Sequence, residues 1–225
     1  MGNLGETLME ELNCETVFSI GGIGIAESVV VTWIIMAVVV AASILLTRNL
    51  KVEHPGRGQL MLEYAVTWLQ GIGKGIVGEE GEAYASYLTS VLIYLGIANL
   101  IGILGFKPPT KDLNVTAALA VMSIILIEAA GIRKKGMKRW LKSFTEPVVL
   151  VTPINILELF IKPLSLCMRL FGNVLGAFVI MKLIESICKV GLPVVFSLYF
   201  DLFDGLIQAY VFVFLTGLFI KEALE

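Results

Sequence analysis

The stretch Leu150–Leu183, LVTPINILELFIKPLSLCMRLFGNVLGAFVIMKL, decides the fold. It holds 34 residues, so as one helix it would extend about 51 Å, against a bilayer hydrocarbon core about 30 Å thick. A helix that long must tilt steeply, kink or break, and Pro153, Pro163, Gly172 and Gly176 are places where it could bend. Arg169 lies deep within it. A guanidinium does not shed its proton at physiological pH. At mid-membrane an arginine costs roughly 2.5 kcal/mol or considerably more. So costly a residue implies a task at that depth.

Composition supports the membrane setting. The chain is 57% hydrophobic and 16% charged, with mean hydropathy +0.87. An ordinary soluble domain carries about 25% charged residues. The class is therefore an all-α polytopic membrane protein. Net charge is −2 and the pI about 5.6, which speaks against nucleic-acid binding. Cys14, Cys167 and Cys188 form no C-x-x-C pair, so neither a disulfide framework nor a metal site is indicated, and no cofactor is expected. The single histidine, His54, stands beside Pro55 in a loop and reads as solvated.

The amino terminus is acidic (Glu6, Glu10, Glu11, Glu15), and no lysine or arginine precedes Arg48. A secretory signal needs a basic start, so the first span, 28–46, is expected to stay in the mature protein. Arg48, Lys51 and Arg57 follow it, which places the amino terminus outside and this loop in the cytoplasm. Residues 58–77 repeat Met61, Ala65, Trp68, Leu69, Ile72 and Ile76 at helical spacing among Glu63, Gln70 and Lys74. That pattern is too polar to cross and fits an amphipathic helix at the interface. Spans two and three are expected at 84–104 and 115–130, joined outside by a loop with Pro108 and Pro109.

Arg133, Lys134, Lys135, Lys138, Arg139 and Lys142 then place six cations within ten residues, the strongest cytoplasmic signal in the chain. A long, tilted hairpin completes the architecture, 150–189 and 194–220, turning outside at Val190–Pro193 and leaving the carboxyl terminus in the cytoplasm. The expected total is about five transmembrane helices plus one interfacial helix. They form a single membrane domain over 1–225, with the ion pathway on the hairpin.

On a helix, Glu158, Lys162, Ser165, Arg169, Asn173 and Gly176 fall within about 80° of one another, a single stripe. Glu158 and Lys162 either mark the cytoplasmic end of the span or line a path into it. Arg169 lies about two turns deeper, with no acid three or four residues away along its helix. Its candidate partners are Asp201 and Asp204 on the return helix, or a carboxylate from another subunit. At α-helical spacing Asp201, Asp204, Gln208 and, less closely, Phe212 share a face. Gln208 is deep enough to need a hydrogen-bond partner. Lys182, Glu185 and Lys189 read either as an interfacial ion-pair cluster or as a water-accessible acid. An arginine that stays protonated cannot relay protons, but it can repel cations and favour an ionised carboxylate nearby. Arg169 thus reads as an electrostatic gate, with Glu185, Asp201 and Asp204 leading to it from outside and Glu158 from the cytoplasm.

These residues resemble subunit a of bacterial F-type ATP synthases. The resemblance is carried by Pro153–Glu158, Lys162–Leu166, Arg169–Asn173, Gln208–Phe212 and Asp112–Thr116, and it covers nearly the whole chain. It implies a non-catalytic stator subunit in the bacterial cell membrane. Two offset half-channels would pass protons or Na⁺ to and from carboxylates of a rotating c-subunit ring, coupling ion flow to ATP synthesis. Further implied partners are the peripheral-stalk subunit b, the other subunits of the complex and the lipid bilayer. Arg169 matches the arginine that separates the half-channels, and Asn173 and Gln208 match the polar residues near it. Two positions depart. Where some members carry a glutamate after the arginine motif and a histidine before the glutamine, this chain has Phe178 and Asp201. The outside path is therefore expected to use Asp201, with Asp204 or Glu185.

A self-contained ion-coupled transporter is the alternative, with Arg169 binding an anionic substrate. Such folds show repeated halves and paired broken helices, and the sequence shows neither. An intramembrane hydrolase would need an H-E-x-x-H zinc motif or a histidine base beside a nucleophile, and both are missing from the sequence.

Overall fold

Apolar runs in lipid become helices because every backbone N–H and C=O must be satisfied within the segment. The computed structural model describes residues 16–20, 23–48, 50–51, 55–104, 108–143, 151–187 and 191–225. The expectations for the acidic amino terminus, His54, Cys14, Cys188 and Lys189 lie outside the described residues, as does the side chain of Asp201.

Five helical segments are long and apolar enough to cross a membrane. They are α1 (Glu27–Thr47), α3 (Glu82–Leu100, prolonged by a 3₁₀ turn over Ile101–Leu104), α4 (Leu113–Lys135), α6 (Thr152–Ile187), and the return formed by α7 (Leu192–Ser197) and α8 (Gly205–Leu224). Two further helices, α2 (Arg57–Val77) and α5 (Met137–Ser143), do not meet that criterion. Ahead of α1, strands β1 (Thr16–Ile20) and β2 (Ile23–Ala26) form an antiparallel hairpin, which is not among the expected elements. Gly21-Gly22 between two short apolar runs is the sequence signal for it.

Helix α4 is longer than the expected span at both ends. It starts at Leu113 because the Asp112 side chain caps it, accepting from the Asn114 backbone N–H at 2.9 Å. It runs on to Lys135, since its terminal Arg133, Lys134 and Lys135 suit the negative end of the helix dipole. Asp112 also accepts a hydrogen bond from Ser28 Oγ, and Thr32 Oγ1 meets Tyr94 Oη at 3.2 Å. These contacts tie the start of α1 to α4 and α3, while Ile35 is its one buried residue among those described.

Helix α6 neither breaks at Pro163 nor ends at Gly172 or Gly176; it is continuous over 36 residues. The return is the segment that departs from regularity. Between α7 and α8, residues Leu198–Asp204 form a π-helical segment, and the Gly205 N–H is shared between the Leu202 and Phe200 carbonyls. Because a π segment winds fewer degrees per residue, the α-helical spacing that aligns Asp201 with Asp204 and Gln208 does not hold here.

The core lies where α3, α4, α6 and α8 meet. Leu88 and Leu95 of α3, Ile127 of α4, Leu166 and Leu170 of α6, and Phe212 and Ile220 of α8 are all buried there. Helix α2 docks on α3 and α8 through its last turns, with Gly73 and Val77 buried. Its earlier face stays open, with Met61, Tyr64 and Trp68 exposed. At the α2–α8 crossing a Cβ on Gly217 would stand 2.5 Å from Ile76 Cγ2 and 3.1 Å from Leu88 Cδ1. Gly217→Ala should therefore force the helices apart and destabilise the fold by about 1–3 kcal/mol. Gly75→Ala on the open side of α2, where nothing lies within 4 Å, should instead stabilise it by about 0.5–1 kcal/mol. Thermal unfolding in detergent, followed by the helical circular-dichroism signal, separates the two; equal midpoints would remove the proposed close packing.

Candidate functional site

Helix α6 buries a narrow edge near its middle. Leu166, Cys167 and Leu170 turn to the core, and Cys167 Sγ lies 3.6 Å from Thr116 Oγ1. The opposite side, including Ser165, Met168, Arg169 and Gly172, is exposed. Arg169 thus leaves the bundle. Among the described residues it makes no ion pair, and Asp204 is engaged elsewhere.

One turn beyond Arg169 the stripe bends inward. Asn173 Nδ2 donates to Asp204 Oδ2 at 2.8 Å and approaches Gln208 Oε1 at 3.4 Å, joining α6 to the π segment and α8. Gln208 is buried at 6% exposure, and its Nε2 has no hydrogen-bond partner among the described residues. A buried amide without a partner is costly and calls for an explanation such as a bound water, an ion or a functional role. All three line a cavity of about 470 Å³, which also includes Glu185, Lys182 and Lys111. Lys182 Nζ is 3.3 Å from Glu185, so the ion pair and the cavity-lining acid coexist. Phe178 forms part of this wall, with Lys111 Nζ 3.4 Å from its ring centroid and Lys182 Nζ 5.9 Å away. The ring face attracts these ammonium groups through its quadrupole. Where the resemblance would put a carboxylate, this chain has an aromatic ring flanked by two cations.

A second cavity, of about 230 Å³, lies toward the other end of α6. Glu158 and Lys162 line it, together with Glu128, Glu222 and Trp140. Lys162 Nζ stands 3.3 Å from Glu158 and 3.2 Å from Glu222, bridging α6 to the end of α8. Trp140 Nε1 donates to Glu128 Oε2 at 2.9 Å. Arg169 falls between the two cavities along α6, four residues before Asn173 and seven after Lys162.

The structure therefore brings Asn173, Asp204, Gln208 and Glu185 to one cavity and Glu158 and Lys162 to the other, and leaves Ser165 beside Arg169 on the exposed side. Sequence reasoning missed Asn99 and Glu222. Asn99 is buried at 5%, donates to the Gly205 carbonyl at 2.8 Å and accepts from Thr110 Oγ1 at 2.9 Å. The carbonyl it holds lies where the π segment passes into α8, so Asn99 and Thr110 secure the turn that carries Asp204. A lone amide in the apolar run 84–104 was the available signal, by the same logic that marks Gln208. Glu222 lies two residues past the expected end of its helix, which hides its pairing with Lys162. Among the described residues no group of three or more His, Cys, Asp or Glu side chains could hold a metal ion.

Comparison with known proteins matches residues 29–221 to the family described as ATP synthase A chain. ATP synthase subunit a of Moorella thermoacetica is 38% identical over 92% of this chain and 94% of its own length. ATP synthase subunit a 2 of a Bradyrhizobium species is 33% identical over 94% of this chain and 95% of its own. ATP synthase subunit a 1 of Hahella chejuensis is 35% identical over 92% and 87%. None of the three bears a transporter's name, which leaves that alternative without support. With a family match over most of its length and relatives above 30% identity, the chain belongs to the ATP synthase subunit a family.

Proposed function

We propose that this chain is the stator subunit of a rotary ATP synthase, carrying ions along two offset half-channels to and from carboxylates on a c-subunit ring. The observation that carries the reading is Arg169, exposed and unpaired among the described residues, between two cavities with charged side chains in their walls, toward opposite ends of α6. A fixed charge there repels cations passing between the cavities and attracts an ionised carboxylate presented from a neighbouring subunit. A permanent internal partner would cancel both effects.

In this reading the Asn173 cavity is the outside half-channel, and Asp204 and Glu185 are its titratable groups. Asp201, on the same π segment, is a third candidate. Asn173 orients Asp204, and Gln208 Nε2 supplies a further donor for the ion-carrying carboxylate or for water. The Lys162 cavity is the cytoplasmic half-channel, because it adjoins the run of six cations at 133–142. In this reading the amino terminus lies outside and the carboxyl terminus in the cytoplasm of a bacterial cell. The open face of α6 meets the ring, the peripheral stalk with subunit b holds the stator still, and the chain itself performs no covalent chemistry.

Two substitutions test the arrangement. Arg169→Ala should abolish ion-driven ATP synthesis in a complex that still assembles with a small carboxylate-bearing proteolipid. Normal synthesis by that assembled variant would overturn the gate. Asp204→Asn keeps an acceptor for Asn173 but cannot titrate, so ATP-driven acidification of inverted vesicles should slow by about tenfold or more. Asp204→Glu should retain more of the rate, and equal rates for both variants would transfer the role to Glu185 or Asp201.

A further inference from the structure

The corner between α4 and α5 carries groups that the ion pathway leaves unused. Arg133, Lys134 and Lys135 end α4, Gly136 turns the chain at φ +79°, and Lys138, Arg139 and Lys142 follow on α5. So many like charges at one tight turn repel one another and call for counter-charge. Glu80 supplies some, 2.9 Å from Lys134. Arg133, Lys138 and Arg139 are exposed and form no ion pair among the described residues.

Helix α5 has two other faces. Met137 and Leu141, one turn apart, are 54% and 57% exposed. Trp140 turns inward, where Nε1 holds Glu128 and the ring sits beside Gly131 at the wall of the Lys162 cavity. Exposed cations next to an exposed apolar pair, at the end of a membrane-crossing helix, match the phospholipid boundary. The apolar pair would enter the acyl layer while the cations reach the phosphates. An anionic headgroup suits this corner better than a zwitterionic one, whose own ammonium competes for the phosphate.

We propose that the α4–α5 corner binds the headgroups of anionic phospholipids through Arg133, Lys138 and Arg139, and so keeps Trp140 on Glu128 at the wall of the cavity. The inference rests on the cytoplasmic placement of this corner given above. It adds a lipid partner to that reading, at a surface distinct from the face of Arg169.

The test uses the intact ATP synthase complex in phosphatidylcholine vesicles containing a minor fraction of phosphatidylglycerol with a photoreactive headgroup. Cross-links in this chain should concentrate on 133–143 and fall about tenfold in the combined Arg133→Gln, Lys138→Gln, Arg139→Gln variant. Lys134, Lys135 and Lys142 remain in that variant to hold the topology. A charge-preserving variant, Arg133→Lys, Lys138→Arg, Arg139→Lys, should cross-link like the native chain. Equal labelling by photoreactive phosphatidylcholine, or undiminished labelling of the Gln variant, would overturn the site. The link to the cavity is read separately, as a rise in ATP-driven proton pumping with phosphatidylglycerol content that the Gln variant lacks. The same rise in both would remove that link. Cross-linking does not depend on ion flow, so its failure is distinguishable from failure of the stator assignment.

Discussion

A polar side chain held in hydrocarbon must find its partner inside the protein, and a few such side chains fix how these helices meet. Asn99 joins the end of α3 to the π–α8 junction, Asp112 joins α4 to α1, and Asn173 joins α6 to both Asp204 and Gln208. Apolar packing in lipid gives weak discrimination between registers, because lipid tails are as apolar as leucine. Hydrogen bonds between helices discriminate strongly, because slipping one residue leaves a donor or acceptor without a partner. The apolar core closes around these contacts, with Leu166 and Leu170 of α6 and Phe212 of α8 buried in the same cluster.

Much of this was legible in the sequence because the membrane simplifies reading. The apolar runs at 28–46 and 84–104 correspond to α1 and α3, and the over-long run beginning at Leu150 to the continuous α6. Arg169 was identifiable because its cost in lipid is independent of fold detail. Asn173 was marked by its place on the same helical stripe and Gln208 by an amide's need for a partner, and both line one cavity.

What stayed hidden depends on three-dimensional closure. The π segment at 198–204 has no strong composition signal, since Leu198–Phe203 would serve equally well in an α-helix. Its irregularity is supported from outside by Asn99, more than a hundred positions away. The pairing of Lys162 with Glu222 across the hairpin, and of Trp140 with Glu128, likewise depends on distant segments. Local patterns account for elements; the partners of polar groups come from how those elements are arranged.

The exposed face of α6 has a further consequence. Leu157, Phe160, Ile161, Leu164 and Met168 lie along it, all at least half exposed, and none offers a hydrogen-bond donor or acceptor of any strength. A surface that meets one ring subunit after another must present nearly the same energy at every angle, or rotation would stall in the deepest well. Dispersion contacts are individually weak and indifferent to small shifts in position. Under the proposed function such a face would work as a low-friction bearing. Arg169 would then be a strong detent on a mostly smooth track, setting where the motion pauses.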